Sequence, residues 1–266
     1  MAERQFYDSV GLLEEVRRYK TSHAFLDLLF THFNGIDSLV ADGPGPRLMT
    51  VSSALPNEFY GIDVNPGSIK RAKEFIKTWR NYVDEEPFKT EFGFLKEKGL
   101  KPNFENCHLF LLEDFPPAKD YFDGELASEL FLHLPPEEVR KILSASNQRL
   151  VRKGKMVFTV YTSGAQDSLD ECFMKLGSKA GMKRKDFIKD GVVDIFKLAA
   201  RLKEKAHDVY EQNKQKFWLD LERVRVFNQS DIESLCRDSG FNICDRQAIK
   251  CGMFSFAHRL VYVLIK

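Results

Sequence analysis

The tightest constraint on this chain is a recurring pattern. Short apolar runs stop at glycine-rich or acidic loops, and an amphipathic stretch follows each. Residues 36–41 form such a run and end in Asp42-Gly43-Pro44-Gly45-Pro46. Helix can restart at Pro46 or Arg47, because proline suits a first helical turn. The second run, Glu58-Phe59-Tyr60-Gly61-Ile62-Asp63-Val64, ends before Asn65-Pro66-Gly67. From Ser68 to about Tyr82, apolar Ile69, Ala72, Phe75, Ile76 and Trp79 line one helical face. Further strands are predicted at 108–112, 122–131 and 156–161, with helices over 88–98 and 137–150. A helix over 230–239 has Ser230 as N-cap, Glu233 in the capping-box position and Gly240 as the stop. Two strands, 242–249 and 259–265, close the chain. Strands alternating with helices imply an α/β fold with a doubly wound, mostly parallel sheet of seven strands.

Residues 9–33 read as N-terminal helix, and 163–226 as a lysine-rich helical insert after the fifth strand. The expected organisation is one domain over 1–266. It has a helical cap at 1–35, a sheet core at 36–162 and 227–266, and a lid at 163–226. The 40 basic and 39 acidic residues balance to a net charge of +1, which gives no global pull toward nucleic acid or membrane. No stretch approaches the roughly 18 apolar residues of a membrane span. The N-terminus carries charges where a secretory leader needs an apolar run. Five scattered cysteines without a CxxC pair argue against a disulfide framework and a zinc site, so no metal is expected. The chain reads as a reduced, cytoplasmic protein.

In doubly wound sheets, ligands sit at the carboxyl ends of the strands where strand order reverses. The loops there carry the chemistry. Gly43 and Gly45 let a ligand approach the backbone, although a Pro-Gly run alone is an ordinary turn. Asp63 closes the second strand twenty residues after Gly43, the spacing at which such folds grip a ribose hydroxyl pair. Asp114 can accept from an exocyclic amine, with Phe115 against a ring. His133, just past the fourth strand, is a candidate general base, and Glu129 is an alternative base or cofactor contact. For each residue taken singly, an unspecialised helix cap, loop acid or packed side chain explains it as well.

Together these segments resemble class I S-adenosylmethionine-dependent methyltransferases, which have a Rossmann-like fold. The matching pieces are Asp42-Gly43-Pro44-Gly45, Tyr60 to Pro66, Leu112 to Pro116, Phe122 to Pro135, Arg149 to Lys155, and Ser239-Gly240-Phe241 with the closing strands. Each is loose, and their order and spacing make the case. The resemblance implies S-adenosylmethionine as cofactor. Asp42, Gly43 and Gly45 would lie at its methionine half, Asp63 and Val64 at the ribose, Asp114 and Phe115 at the adenine, and Ser128 on the methionine side. Two positions depart from the family pattern. Ala41 stands where an acid is usual, and Arg47 replaces the third glycine.

Methyl transfer is an in-line displacement, so the protein must align the nucleophile and exclude water. Residues outside the sheet would hold the acceptor: Tyr7 and Tyr19 from the cap, Tyr161 at the end of strand five, and Phe196 and Trp218 in the lid. No Asn/Asp-Pro-Pro-Tyr/Phe motif follows strand four, which leaves a small-molecule O, N or C nucleophile. The insert holds 14 Lys/Arg and 11 Asp/Glu, which a solvated helix face explains more simply than RNA. An RNA methyltransferase and a non-catalytic scaffold with this fold are the alternatives. A nicotinamide-dependent oxidoreductase would need glycine where Leu48 stands.

Overall fold

The computed structural model describes residues 21–43, 45–116, 119–163, 167–219, 221, 223–250 and 254–266. Tyr7 and Tyr19 lie outside the described residues.

The first described helix, α1 (His23–Phe33), is capped by the Ser22 hydroxyl, which accepts from the Phe25 N–H, and buries Phe25, Leu26, Leu28, Leu29 and Phe33. Strand β1 (Ser38–Asp42) is buried at every position, as a central parallel strand must be. Helix α2 (Pro46–Ser52) starts on Pro46, β2 (Glu58–Asp63) follows, and α3 (Pro66–Thr78) is capped by the Asn65 side chain. Helix α4 (Lys89–Glu97), β3 (Cys107–Leu111) and β4 (Phe122–Ala127) come next. Between β3 and β4 the described residues contain one 3-10 turn, Leu112–Asp114, and no α-helix, as the sequence order implied. Tyr60, Phe110 and Phe115 on that face are therefore half-covered, and Tyr121 is exposed.

Helix α5 (Pro136–Arg149) leads into β5 (Leu150–Val160), which starts earlier than expected. The fourth strand ends earlier than expected. Glu129 adopts a left-handed φ of 66°, and Leu130–His133 forms a 3-10 turn instead of further strand.

The insert is not purely helical. Besides α6 (Leu169–Ser178), α7 (Arg184–Phe187), α8 (Ile195–Lys205) and α9 (His207–Asn213), it contains short strands β6 (Ile188–Lys189), β7 (Val192–Asp194) and β8 (Arg223–Arg225). These form a separate antiparallel sheet of three strands. Strands of two or three residues are too short to show a period of two against a lysine-rich background.

Helix α10 (Gln229–Asp238) begins one residue before Ser230, and Asn228 is the N-cap. Glu233 is not a capping-box partner there. Its carboxylate instead accepts from Arg246 Nη1 at 2.6 Å. Gly240 does stop the helix, at φ 86°. Strands β9 (Asn242–Ile249) and β10 (Arg259–Ile265) finish the chain at their expected bounds.

The main sheet has seven strands in the order β3-β2-β1-β4-β5-β10-β9. The first five run parallel, and β10 is antiparallel to both β5 and β9. Alternate residues feed two cores. Leu39, Ala41, Phe59, Leu126 and Val157 pack under α1 and α4, while Val40, Ile62, Ala127, Met156 and Phe158 pack under α5 and α10. A third apolar cluster belongs to the insert and includes Leu132, Tyr161 and Phe254, so the insert rests on the carboxyl ends of β4 and β5. Among the described residues no helix is long and apolar enough to cross a membrane.

Candidate functional site

Strand order reverses between the parallel neighbours β1 and β4: the chain adds β2 and β3 on one side of β1, and β5 on the far side of β4. The loop after β1 makes its first turn with Gly43 at φ +64°, a conformation that favours glycine. The Gly43 N–H donates to the Ile62 carbonyl at 2.7 Å, which ties the glycine turn to the end of β2, next to Asp63. A Cβ added to Gly43 or to Gly45 would meet nothing within 4 Å. Gly45 is the N-cap of α2 and brings no side-chain cap. The result is an open turn beside a carboxylate.

Asp63 is half-buried. Its Oδ1 accepts from the Asn65 N–H at 2.7 Å. Burial raises its pKa above the ordinary carboxylate value, against the opposing pull of the Asn65 N–H, the Ser68 hydroxyl and the Arg71 guanidinium. Those contacts fix the rotamer, and a carboxylate has lone pairs to spare for a ligand. Val64, immediately after it, is 69% exposed and flanks the opening. Asp114 is exposed in the 3-10 turn after β3. Phe115 is half-buried, stacked on Phe122 at 5.9 Å between centroids and edge-on to Phe110 at 5.6 Å.

Both departures in the glycine segment have structural explanations. Ala41 is fully buried in the core beneath α1, where a carboxylate would be desolvated without a partner. Arg47 is buried too, and it turns away from the loop to the α4 side. There Arg47 Nε donates to Glu91 Oε1 at 2.7 Å and Nη2 to Oε2 at 3.2 Å, while Thr21 donates to the same carboxylate. Glu91 is completely buried. The third glycine position is thus occupied by a strut between α2 and α4.

Asp42 points to the opposite face of the sheet from Ala41, as strand alternation requires. Its Oδ2 lies 3.7 Å from Arg149 Nη2, which also binds Glu125 Oε1 at 2.5 Å. Ser146 donates to Glu125 as well. The sequence reading missed this cluster. Glu125 lies in the buried part of β4, between Gly124 and Leu126, and a charge there demands a partner. Burial, and next the neighbouring Asp42, push the Glu125 pKa well above the carboxylate range, with Arg149 offsetting part of this. An acid raised in the folded state stabilises fully below its unfolded pKa, and that contribution is lost as pH rises through the folded value. Glu125→Gln, neutral and similar in shape, is therefore expected to gain thermal stability relative to the unaltered protein as pH rises from about 5 to 9. A melting-temperature difference that stays flat across that range would contradict this assignment.

Past β4, a second polar group gathers. Ser128 and Glu129 are buried, and so is Arg259 at the start of β10, which exposes 0% of its surface. Arg259 Nη1 donates to Glu129 Oε1, and it lies 3.4 Å from both Ser128 Oγ and Thr159 Oγ1. Its guanidinium also sits 4.8 Å over the Phe25 ring. Tyr161 donates to Glu129 Oε1 at 3.4 Å and accepts from the Phe254 N–H at 3.1 Å. Arg259 went unremarked in the sequence. Its signal was again a charge opening a strand that is otherwise apolar, residues 260–265.

His133 is half-buried in the 3-10 turn next to this group. Trp218 is buried in the insert's core at φ 48°. Phe196 is 70% exposed on the outer side of α8, whose inner face is Ile195, Leu198, Ala199 and Leu202. A cavity of about 390 Å³ lies elsewhere, between α10 and the insert's small sheet, lined by Arg184, Asp190, Arg225, Asn228 and Asp231 among others. It touches none of the predicted site residues. Among the described residues no cluster of three or more His, Cys, Asp or Glu is placed to hold a metal ion.

No protein-family model matches the sequence, and no curated protein matches it. Solved structures do. Magnesium protoporphyrin IX methyltransferase from Synechocystis PCC 6803, with bound S-adenosylhomocysteine, superposes with a TM-score of 0.57 at 12% identity, covering 99% of this chain and 98% of that one. A SAM-dependent methyltransferase from Methanosarcina mazei gives 0.55 at 11% identity, over 90% and 96%. The [4+2]-cyclase SpnF gives 0.54 at 13% identity, over 98% and 94%. The sheet order, the antiparallel closing pair and these full-length superpositions agree: the chain has the Rossmann-like fold of class I SAM-dependent methyltransferases.

Proposed function

We propose that this protein transfers a methyl group from S-adenosylmethionine to a small-molecule O, N or C nucleophile held beneath the 163–226 insert. The observation that carries this reading is the 2.7 Å bond from Gly43 to Ile62. It sets an open glycine turn beside Asp63, with free space above both glycines. That edge suits an adenosyl amino acid. The Asp63 carboxylate would accept from the ribose hydroxyls, and Val64 would flank the sugar. Asp114 and Phe115 would border the adenine. The backbone at Gly43 and Gly45, with Ser128, would face the methionine half, and Asp42 supports the turn from below through Arg149. The cofactor supplies an electrophilic methyl group on a sulfonium.

The chain's own task is alignment and exclusion of water. The insert shares one apolar cluster with Leu132, Tyr161 and Phe254, and so is seated to cover the acceptor. In this reading the whole chain works as one cytoplasmic domain, with the insert as lid. Tyr161 and Trp218 belong to its inner wall, and His133 takes the proton when the nucleophile carries one. Phe196, facing outward, reaches the acceptor only if α8 moves.

A second reading is a non-catalytic scaffold protein that keeps this fold without using the cofactor. The likeness to SpnF, described as a [4+2]-cyclase, shows that the fold is not confined to proteins named as methyltransferases. Calorimetric titration separates the possibilities. Binding of S-adenosylmethionine and S-adenosylhomocysteine, without NADH, supports the proposal. NADH binding alone would sink it, and binding of none would leave only the fold.

A further inference from the structure

Glu129 has an oxygen that no described residue satisfies. Its Oε1 is saturated by Arg259 and Tyr161. Its Oε2 is buried and has no hydrogen-bond partner among the described residues. The residue as a whole is 9% exposed. A buried, unpaired carboxylate oxygen is costly, and such atoms in native structures call for a ligand or a role. The backbone pays as well: Glu129 sits at φ 66°, a left-handed conformation uncommon for a residue other than glycine, and its N–H is pinned to Thr159 Oγ1 at 2.9 Å. Four elements, β4, β5, β10 and the 254–257 turn, converge to hold this one carboxylate still.

Its direction distinguishes two possible ligands. In the sheet, β4 lies between β1 and β5. The glycine turn leans from β1 toward β2, whereas Glu129 leans from β4 toward β5 and β10, where Thr159, Tyr161 and Arg259 stand. The contacts of Glu129 thus lie on the side of β4 away from the glycine turn. The surroundings are aromatic. Tyr161 meets Phe254 edge-on at 5.7 Å, and Phe254 meets Phe173 at the same distance.

We infer that Glu129 anchors the acceptor, and that the acceptor presents a neutral N–H or O–H to Glu129 Oε2 beside an apolar, aromatic-sized body. This rests on the methyl-transfer reading above and adds the chemical class of its substrate. The donor is neutral because Glu129 and Arg259 already balance each other, so an ammonium would bring a further unpaired charge into a buried site. Glu129 is an anchor and not the proton acceptor. Protonating it would remove the carboxylate charge that faces the buried Arg259 guanidinium. Arg259 and Tyr161 act through Glu129 and are positioning residues.

The test uses the full-length protein and matched probes. The protein is first titrated with S-adenosylhomocysteine. Absence of binding at this step counts against the methyl-transfer reading itself. On protein saturated with S-adenosylhomocysteine, p-cresol and 4-methylanisole, which lacks the O–H, are compared by ligand-observed NMR. The cresol is expected to bind at least about tenfold more tightly, the scale of one buried charge-assisted hydrogen bond. Glu129→Gln sharpens the test. The amide oxygen can keep Arg259 and Tyr161, which puts an NH2 donor where Oε2 was; both probes can accept from it, so the preference for the cresol is expected to shrink to within about twofold. Equal binding of the two probes to the unaltered protein, binding of neither, or an unchanged preference in a folded Glu129→Gln protein overturns the inference. So does a tenfold loss of S-adenosylhomocysteine affinity in that variant, which would assign the donor to the cofactor. If Glu129→Gln does not fold, the ratio measured on the unaltered protein decides.

Discussion

Asp63→Ala is expected to weaken S-adenosylhomocysteine binding by about 10- to 100-fold, the equivalent of about 1.5–3 kcal/mol for hydrogen bonds to a charged group. Stability should change far less. Asp63 caps a turn through Asn65 and Ser68, but burial already penalises its charge. The same burial sets a pH dependence. The ligand needs the carboxylate form to accept from ribose hydroxyls, and the folded pKa of Asp63 is raised. Affinity should therefore fall on acidification, starting at a higher pH than an ordinary aspartate would give. Isothermal titration across pH checks both the magnitude and the sign. Asp63→Asn, which keeps the shape but loses the charge, should sit between the alanine variant and the unaltered protein and lose the acid limb.

Glu91→Ala should produce the largest loss of stability, about 3–5 kcal/mol, because it leaves Arg47 buried without its carboxylate. For a chain of this size that corresponds to a melting temperature lower by roughly 6–15 °C. Replacing both partners together, Arg47→Leu with Glu91→Leu, should recover much of the loss, because it removes the stranded charge along with its partner. Thermal unfolding of the two single variants and the double variant forms the cycle that measures this. A Glu91→Ala protein as stable as the unaltered one would remove the explanation offered for Arg47 at the third glycine position.

Those two sites show which parts of the molecule the sequence could reveal. Local patterns were enough for the sheet. An apolar run such as 39–41 reads as a buried central strand, Gly240 sets the start of β9, and the apolar run 260–265 marks β10. That Asp63 ends β2 beside the glycine turn was legible, because the two lie at a fixed distance along the chain in folds of this kind. Contacts set by tertiary packing were not legible. Arg47 meets Glu91 across 44 residues, and Arg259 meets Glu129 across 130. No periodicity encodes either pairing. What the sequence did offer was a charge where the pattern calls for an apolar or small residue, at Arg47, Glu125 and Arg259. Each proved to be half of a buried pair. Phe196 shows the reverse case: an aromatic residue in an amphipathic helix was expected to face inward, yet it sits one residue off the buried stripe of Ile195, Leu198, Ala199 and Leu202.

The central claim is that the glycine turn and Asp63 grip one adenosyl group. The most direct measurement is a crystal structure of the protein with S-adenosylhomocysteine. The expected result places both ribose hydroxyls within hydrogen-bonding distance of the Asp63 carboxylate, with the homocysteine portion lying over Gly43 and Gly45. Ligand density anywhere else, such as in the cavity beside Arg225, with Asp63 left facing only Asn65 and Ser68, would contradict it.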